Sequence, residues 1–216
     1  MIEIYDLSLT ITSDMTTWPG DPGVAISQVH STSHGDGYNV SNLEMGSHTG
    51  THVDAPRHVS ETGVSVDHLP LDVLIGEAWT CHLPTDIRRI TADVLDMARI
   101  PRRATRVLLA TSNSSHWSNP DAAFDHEFVA LSEDAADWIV SRGIRVVGID
   151  YLSVGAGGDE GLQVHRSLLL RGVIAVEGLD LRRLPAGPCH LYCLPLKLGN
   201  ADGAPARVIA VRHLGG

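Results

Sequence analysis

The chain contains the stretch Gly46-Ser47-His48-Thr49-Gly50-Thr51-His52-Val53-Asp54-Ala55-Pro56-Arg57-His58, which places three histidines and one aspartate within eleven residues. No other part of the chain concentrates as many side chains that can bind a metal ion. All four occupy even positions, so in an extended chain they would project to one side. Imidazole and carboxylate groups are the ligands that zinc and similar divalent ions bind. The stretch therefore predicts a metal site, with a hydrogen-bonded turn cluster as the alternative.

The spacing of His48 and His52 requires the backbone to bend. A flat strand would hold the two residues about 13 Å apart, too far to share one ion. Gly46 and Gly50 permit a tight curl, and Pro56 prevents a ladder or helix from continuing. A helical i,i+4 pair is the competing geometry, but the intervening threonines and the following valine are poor helix formers. We expect a curled loop beside a strand.

Composition places the chain among acidic globular proteins. With 216 residues and 43% hydrophobic content, it is most simply one domain over residues 1–216 with a full core. The formal net charge of −10 disfavours nucleic acid or an anionic membrane as the main partner. No apolar run reaches the 18 residues that suggest a membrane span. The first nine residues alternate like a strand and lack signal-peptide features, so a cytoplasmic location is expected. Cys81, Cys189 and Cys193 form no CxxC pair and are expected to be buried thiols.

Strand patterns outnumber helical patterns about three to one. Strands are predicted near residues 2–9, 24–30, 38–46, 74–83, 106–111, 144–150, 173–177, 189–196 and 206–212. Helices are predicted after Thr91, after Ser132 and from His165 to Arg171. The expected class is α/β with a strand-rich, mixed sheet core. Irregular stretches are expected at 10–23, 112–128, 151–164 and 197–205, and loops of this length often build sites.

Further ligands are expected from outside the quoted stretch. Three ligands from one segment leave the coordination sphere open, which suits catalysis better than a closed structural site. His165 and Glu177 are the best candidates. Glu177 closes an apolar strand, where a carboxylate is unusual unless a cation receives it. A surface glutamate at a strand end is an equally consistent interpretation from composition alone.

Two other features have competing interpretations. The strand 145–150 leads to the glycine-rich run 155–161, but a dinucleotide fingerprint requires glycine where Glu160 stands and a turn directly after the strand. A flexible loop is the favoured interpretation. Trp18 lies in a polar turn, where it either packs over the domain edge or forms a wall that stacks on a flat substrate. Trp117 and Tyr151 have the same ambiguity.

The run from His48 to His58 matches the HxGTHxDxPxH signature of the cyclase family. These metal-dependent hydrolases include bacterial kynurenine formamidase (arylformamidase) and isatin hydrolase. The resemblance extends over nearly the whole chain, through Trp18–Asp21, Gly148–Asp150, the segment from His165 to Leu179, Leu194–Leu198 and Asp202–Arg207. It implies a swivelling β/β/α fold that assembles as dimers or tetramers.

The resemblance also implies the role of each residue. His48, His52 and Asp54 would bind a first ion, and Asp54 would bridge to a second. His165 would bind the second ion, and Glu177 would bind both. The expected cofactor is a divalent metal ion, with Zn²⁺ the first choice and Mn²⁺ the second. Histidine, aspartate and glutamate suit zinc, manganese and iron.

The remaining roles concern the substrate. By the same resemblance, His58 is the proton donor and acceptor, and Trp18 contacts the substrate. The expected reaction is hydrolysis of a C–N amide bond in a small aromatic substrate, with N-formylkynurenine the best guess. Thr51 stands where kynurenine formamidases often have alanine and where isatin hydrolase has threonine. An isatin-like lactam or another amide is therefore the first alternative. A cyclase or dehydratase of secondary metabolism and a metal-holding binding module are the others.

Overall fold

Every segment with a strand-like pattern forms a strand in the structure, a computed structural model that describes residues 1–119 and 122–213. The strands are β1 Ile2–Asp6, β2 Ala25–His30, β3 Val40–Glu44, β4 His52–Asp54, β5 Ile75–His82, β6 Arg89–Ile90, β7 Arg106–Ala110, β8 Ala130–Leu131, β9 Val146–Ile149, β10 Ile174–Glu177, β11 Gly187–Pro195 and β12 Gly203–His213. Only β4, β6 and β8 have no predicted counterpart. Each has three residues or fewer, too short for an alternating pattern to be recognised.

The helices are α1 Leu71–Leu74, α2 Ala92–Met97, α3 Glu133–Ser141 and α4 Asp159–Leu169. Helices α2 and α3 begin after Thr91 and Ser132 as predicted. The prediction for α4 was wrong at its start, because the helix begins six residues before His165, within the glycine-rich run. Gly161 obscures the helical pattern there, yet a side chain at this position would overlap the Ala156 carbonyl oxygen. The predicted irregular stretch 151–164 is therefore partly helical.

One mixed sheet closes on itself as a seven-stranded, barrel-like core, which confirms the predicted fold class. The strands follow the order β12-β11-β5-β7-β9-β10-β4, and β4 pairs back to β12. Strands β5, β7, β9 and β10 run parallel to one another, and the other pairings in the ring are antiparallel. Strand β1 continues the edge of β12 outside the ring.

Apolar side chains fill both faces of the parallel strands. On β7, Leu108 joins the core cluster that contains Val176 and Leu191. Its neighbours Val107 and Leu109 face the cluster beneath α2, α3 and α4. Burial on both faces explains why these strands read as continuous apolar runs rather than as an alternation. All three cysteines are free and buried, as predicted.

The irregular segments lie around the mouth of the barrel. The predicted stretch 112–128 contains a 3₁₀ turn at Ser112–Ser118, and its residues 120 and 121 lie outside the described residues. The stretch 197–205 leads into β12 at Gly203. Within residues 1–119 and 122–213, no helix combines the length and the hydropathy needed to cross a bilayer.

Candidate metal centre

The quoted stretch forms a bend followed by strand β4. Gly50 adopts the left-handed conformation, with φ 64°, as the spacing requires, whereas Gly46 does not. The expected curled loop ends at His52, where the chain enters the barrel between β10 and β12. The sequence pattern of one short segment cannot reveal its pairing with distant strands, so strand β4 was not predicted. Since alternate residues of a strand face one way, His52 and Asp54 share a face.

Glu177 and His165 reach the same place from β10 and α4. Glu177 is the register partner of His52 in the antiparallel pair β10–β4. His165 lies in the interior of α4, and its Nδ1 donates to the Gly161 carbonyl one turn earlier, at 2.7 Å. The helix thereby directs the other ring nitrogen, Nε2, toward the carboxylates. Both side chains therefore project from regular secondary structure and not from a loop.

The five predicted ligand residues converge on one point. Asp54 Oδ1 lies 2.8 Å from His48 Nδ1 and 3.4 Å from His52 Nε2. Its other oxygen lies 3.5 Å from His165 Nε2. Glu177 completes the cluster, with one oxygen 3.2 Å from His52 Nε2 and the other 3.2 Å from His165 Nε2. Asp54 therefore stands between all three imidazoles, a position compatible with a bridging ligand.

Two buried atoms in this cluster lack a hydrogen-bond partner. They are His52 Nε2 and Asp54 Oδ2, and both residues are almost completely inaccessible to solvent. The other nitrogen of His52 is occupied, because Nδ1 donates to the Gly50 carbonyl at 2.9 Å. Leaving a buried polar atom without a partner is costly. A ring nitrogen and a carboxylate oxygen, both buried and both without a hydrogen-bond partner, fit a divalent cation.

Two overlapping triads of candidate ligand atoms differ from the grouping that the family resemblance implies. His52, Asp54 and Glu177 form one, and His48, Asp54 and His58 form the other, with the atoms of each within 4.8 Å of one another. The family resemblance grouped His52 with His48 instead. It also gave His58 no place among the ligands, whereas its ring centroid lies 4.3 Å from that of His48. Asp54 belongs to both triads, and it is also the bridging residue in the grouping that the resemblance implies.

The carboxylates control the protonation of the imidazoles. Burial alone would lower the pKa of each histidine, because a charged ring is poorly solvated there. Asp54 and Glu177 outweigh burial at His52 and raise its pKa to about 10. The pKa of His165 rises to about 9 against the same burial, through Glu177 first. At His48 burial is again outweighed, mainly by Asp54, and the pKa rises to about 9.

The histidines in turn keep both buried acids ionised. Burial would raise the pKa of Asp54, but His48 and His52 hold it well below its ordinary value. Burial and the nearby Asp54 would raise the pKa of Glu177, yet the adjacent His165 and His52 leave it lowered. Glu177 also accepts from the Val154 N–H at 2.7 Å. In the absence of metal, protons on the imidazoles balance the carboxylates, and a cation would replace that positive charge.

Asp202 belongs to the site but was not predicted as a functional residue. Its Oδ2 lies 2.8 Å from His48 Nε2 and 3.8 Å from His58 Nδ1. Its Oδ1 accepts from the Ser47 hydroxyl at 3.2 Å. Asp202 is 154 residues from His48 in the chain, and only the pairing of β12 with β4 brings the two together. The one available signal was its place in the C-terminal segment of the family resemblance.

A cavity of about 550 Å³ opens above the cluster. His48, His52, His58, His165 and Glu177 line its floor, together with Asp202. Trp18 lines the wall, with its ring edge-to-face against Phe124 and Phe128 at centroid distances of 5.0 and 6.0 Å.

Trp117 and Tyr151 have a structural role instead. Trp117 stacks on Tyr151 at a centroid distance of 5.8 Å and donates to the Leu179 carbonyl at 3.0 Å. The Tyr151 ring is fully buried in the core. Neither residue lines the cavity above the cluster.

Comparison with known proteins identifies relatives along the whole chain. A family model described as "Putative cyclase" matches residues 5–156. Cyclase-like protein 3 of Arabidopsis thaliana is 38% identical over 218 residues, which cover 97% of this chain and 80% of the relative.

Solved structures show the same similarity. A structure described as "Potential Metal-Dependent Hydrolase With Cyclase Activity" superposes with a TM-score of 0.84 at 34% identity, over the full length of both chains. Isatin hydrolase A from Labrenzia aggregata, bound to benzyl benzoate, superposes with a TM-score of 0.81 at 25% identity. That match covers 97% of this chain and 93% of the hydrolase.

Proposed function

The chain belongs to the cyclase family, and on that basis we propose that it is a metal-dependent hydrolase of a C–N amide bond in a small aromatic substrate. One observation carries the proposal: two unsatisfied buried atoms, His52 Nε2 and Asp54 Oδ2, lie among three imidazoles and two carboxylates at the floor of a cavity. Such a donor set matches a divalent cation, and Zn²⁺ or Mn²⁺ fits it.

Five residues would hold one or two ions, namely His48, His52, Asp54, His165 and Glu177. A bound divalent ion lowers the pKa of water from about 15.7 toward 7 and polarises a carbonyl group. The protein's contribution is to aim the lone pairs. The carbonyls of Gly50 and Gly161 take the Nδ1 protons of His52 and His165, so Nε2 of each ring faces the cluster.

His58 is proposed to move the proton. Its side chain is 33% exposed at the cavity, unlike the buried His52. Nδ1 faces Asp202 at 3.8 Å, which leaves Nε2 as the nitrogen that exchanges a proton with the substrate. An amine is a poor leaving group unless it is protonated, so Nε2 would take a proton from water and deliver it to the nitrogen of the breaking bond.

Trp18 is proposed to position the substrate. The rings of Phe124 and Phe128 pack edge-to-face against it, and Trp18 lines the same cavity as the cluster. A flat aromatic substrate would stack on this surface and present its amide to the floor. N-formylkynurenine, which would yield kynurenine and formate, is our first choice. An isatin-like lactam is the second, because isatin hydrolase A shares this fold over nearly its whole length.

We also propose a homo-oligomer, a dimer or a tetramer, in which residues 1–216 form one cyclase-like domain. The hairpin β2–β3 supports this, because every residue of both strands except His30 is exposed. An isolated two-stranded hairpin is marginally stable in water, so a second surface is needed to cover it.

A cytoplasmic location is proposed from the three free cysteines, since reducing compartments keep thiols unpaired.

A substrate panel tests the function. Protein loaded with Zn²⁺, and separately with Mn²⁺, would be assayed on N-formylkynurenine, isatin and simple formanilides. We expect hydrolysis of at least one aromatic amide, lost on chelation and restored by metal. Trp18→Ala should raise KM for aromatic amides more than for an aliphatic formamide. Hydrolysis that survives complete metal removal, or fully loaded protein that cleaves no amide, would contradict the proposal.

A further inference from the structure

We propose that Asp202 is a positioning residue of the metal centre, which selects Nδ1 of His48 as the nitrogen that binds the ion. This inference rests on the proposed function, since it concerns the residues proposed to hold the metal. Asp202 Oδ2 lies 2.8 Å from His48 Nε2, and Asp54 Oδ1 lies 2.8 Å from His48 Nδ1. A neutral imidazole carries one proton, so whichever nitrogen donates to an acceptor leaves the other with the free lone pair.

At His48 a side chain decides which ring nitrogen carries the proton, whereas at His52 and His165 a backbone carbonyl does. His52 and His165 each donate Nδ1 to a backbone carbonyl, at 2.9 and 2.7 Å. Those acceptors are built into the bend and the helix, and no substitution of a side chain removes them. Across the described residues, His48 alone among the three has a carboxylate on the nitrogen opposite the cluster. A carboxylate in this place also strengthens the imidazole as a ligand.

The backbone around Asp202 is held firmly enough to serve this role. The Asp202 carbonyl accepts from the Ala55 N–H at 2.9 Å, and the next residue, Gly203, is the register partner of Asp54. The Ser47 hydroxyl fixes the second carboxylate oxygen. Both ends of the contact are thus tied to the segment that carries His48 and Asp54. The position of Asp202 relative to His48 is set by the barrel and not by a free loop.

Asp202 also holds the ring of His48, the least buried of these three imidazoles. The His48 side chain is 16% exposed, against 1% for His52, and its Nε2 lies against a carboxylate that is 45% exposed. The contact with that carboxylate fixes the orientation of the ring before the metal arrives, so less ordering is needed on binding.

Metal affinity measured without substrate tests the role. Dissociation constants for Zn²⁺ and for Mn²⁺ would be obtained by competition with a chromophoric chelator. Asp202→Ala should weaken binding about 10–100-fold, the range typical of lost partners of metal-binding histidines. Asp202→Asn should weaken it less, because an amide oxygen still accepts from Nε2 without the charge.

Asp67→Asn is the matched control, since Asp67 anchors the same loop through the Asn200 N–H at 3.1 Å and does not touch His48. It should stay within about twofold of wild type. Nitrogen-15 NMR of the zinc-loaded protein gives a second readout. His48 should be a single Nε2–H tautomer in wild type and a mixture in Asp202→Ala, with the chemical shifts of His52 unchanged.

Two results would overturn the inference while leaving the proposed function intact. The first is wild-type metal affinity and a single tautomer in Asp202→Ala. The second is an equal loss of affinity in Asp67→Asn, which would make the effect one of loop structure. Wild-type protein that binds neither ion would instead overturn the proposed function, and this inference with it.

Discussion

At the scale of single residues, the site is a balance between two buried carboxylates and three imidazoles. Asp54 and Glu177 are almost fully enclosed, and each contacts two or more histidines. Isolated buried charges of this kind would be strongly unfavourable. Without a cation, the histidines must carry protons to compensate. The protonation of the apoprotein therefore reports on the site before any ion is added.

Stability of the metal-free protein should fall at alkaline pH. The unfolded histidines have a pKa of about 6.5, whereas the pKa in the fold is about 9 for His48 and His165 and about 10 for His52. A raised pKa contributes stability that is fully present below the unfolded value and is lost as the pH rises through the folded value. The urea midpoint of the apoprotein should thus decline as the pH rises from about 7 to about 10.

The zinc-loaded protein is the control for this prediction. Its bound imidazoles are already neutral, so the same pH range should change its midpoint much less. An apoprotein whose midpoint is the same at both ends of the range would show that the histidines are not protonated in the fold.

His58→Ala should separate catalysis from metal binding. As the proposed proton carrier, His58 contributes about 10²–10⁴-fold to turnover. We expect kcat to fall within that range while the metal content by mass spectrometry stays at the wild-type value. A ring nitrogen of His58 lies within 4.8 Å of candidate ligand atoms of His48 and Asp54. Loss of one ion in the variant would therefore show that His58 is a metal ligand.

At the scale of elements, the end of β10 is locked against the bend before β4. Gly178 follows Glu177 with φ 65°, and a side chain there would overlap the Gly50 carbonyl oxygen. Thr51 adds a hydrogen bond from its hydroxyl to the Gly178 carbonyl at 2.5 Å. This contact sets how closely Glu177 approaches His52.

Gly178→Ala should therefore destabilise the protein and weaken metal binding together. Gly172→Ala is the matched control, because Gly172 has φ 81° with no neighbouring atom within 4 Å. It should cost only the left-handed backbone strain, about 1–2 kcal/mol. Overpacking should add about 1–3 kcal/mol at Gly178, measured as the free energy of unfolding in urea. Equal losses in the two variants would mean that the close contact is not important.

The elements also show which parts of the structure the sequence could predict. Longer strands have apolar runs that identify them, and the spacing of His48, His52 and Asp54 indicated a shared face and a bend. Strand β4 has three residues whose only evidence is pairing with β10 and β12, so no local pattern identifies it. The start of α4 was missed because Gly161 is required there by a close contact with Ala156.

At the scale of the whole molecule, closure of the barrel assembles the site. The pairing of β4 with β10 and β12 brings together the segment from Gly46 to His58, Glu177 and Asp202, which are distant in sequence. Helix α4 places His165 against Glu177. His165 and Glu177 could be selected from the family resemblance. The link between Asp202 and His48 could not, since it depends on the register of two strands that are far apart in the chain.

The exposed hairpin makes a prediction about assembly. Ile26 and Leu43 are register partners and are both exposed, so they form one apolar face. Replacing both by lysine should convert the proposed oligomer into monomers, measured by sedimentation equilibrium. Leu71→Lys, at another exposed leucine, serves as the control and should leave the assembly unchanged. A monomeric wild type, or a double variant that still assembles, would contradict the role of the hairpin.

The central claim is that a cation occupies the cluster around Asp54, and an anomalous diffraction measurement on crystals of the zinc-loaded protein tests it most directly. The account predicts one or two peaks about 2.0–2.2 Å from His52 Nε2, Asp54 and neighbouring ligands, with His48 bound through Nδ1. Crystals of protein shown to be zinc-saturated that give no peak between these side chains, or give one only at the surface, would contradict it.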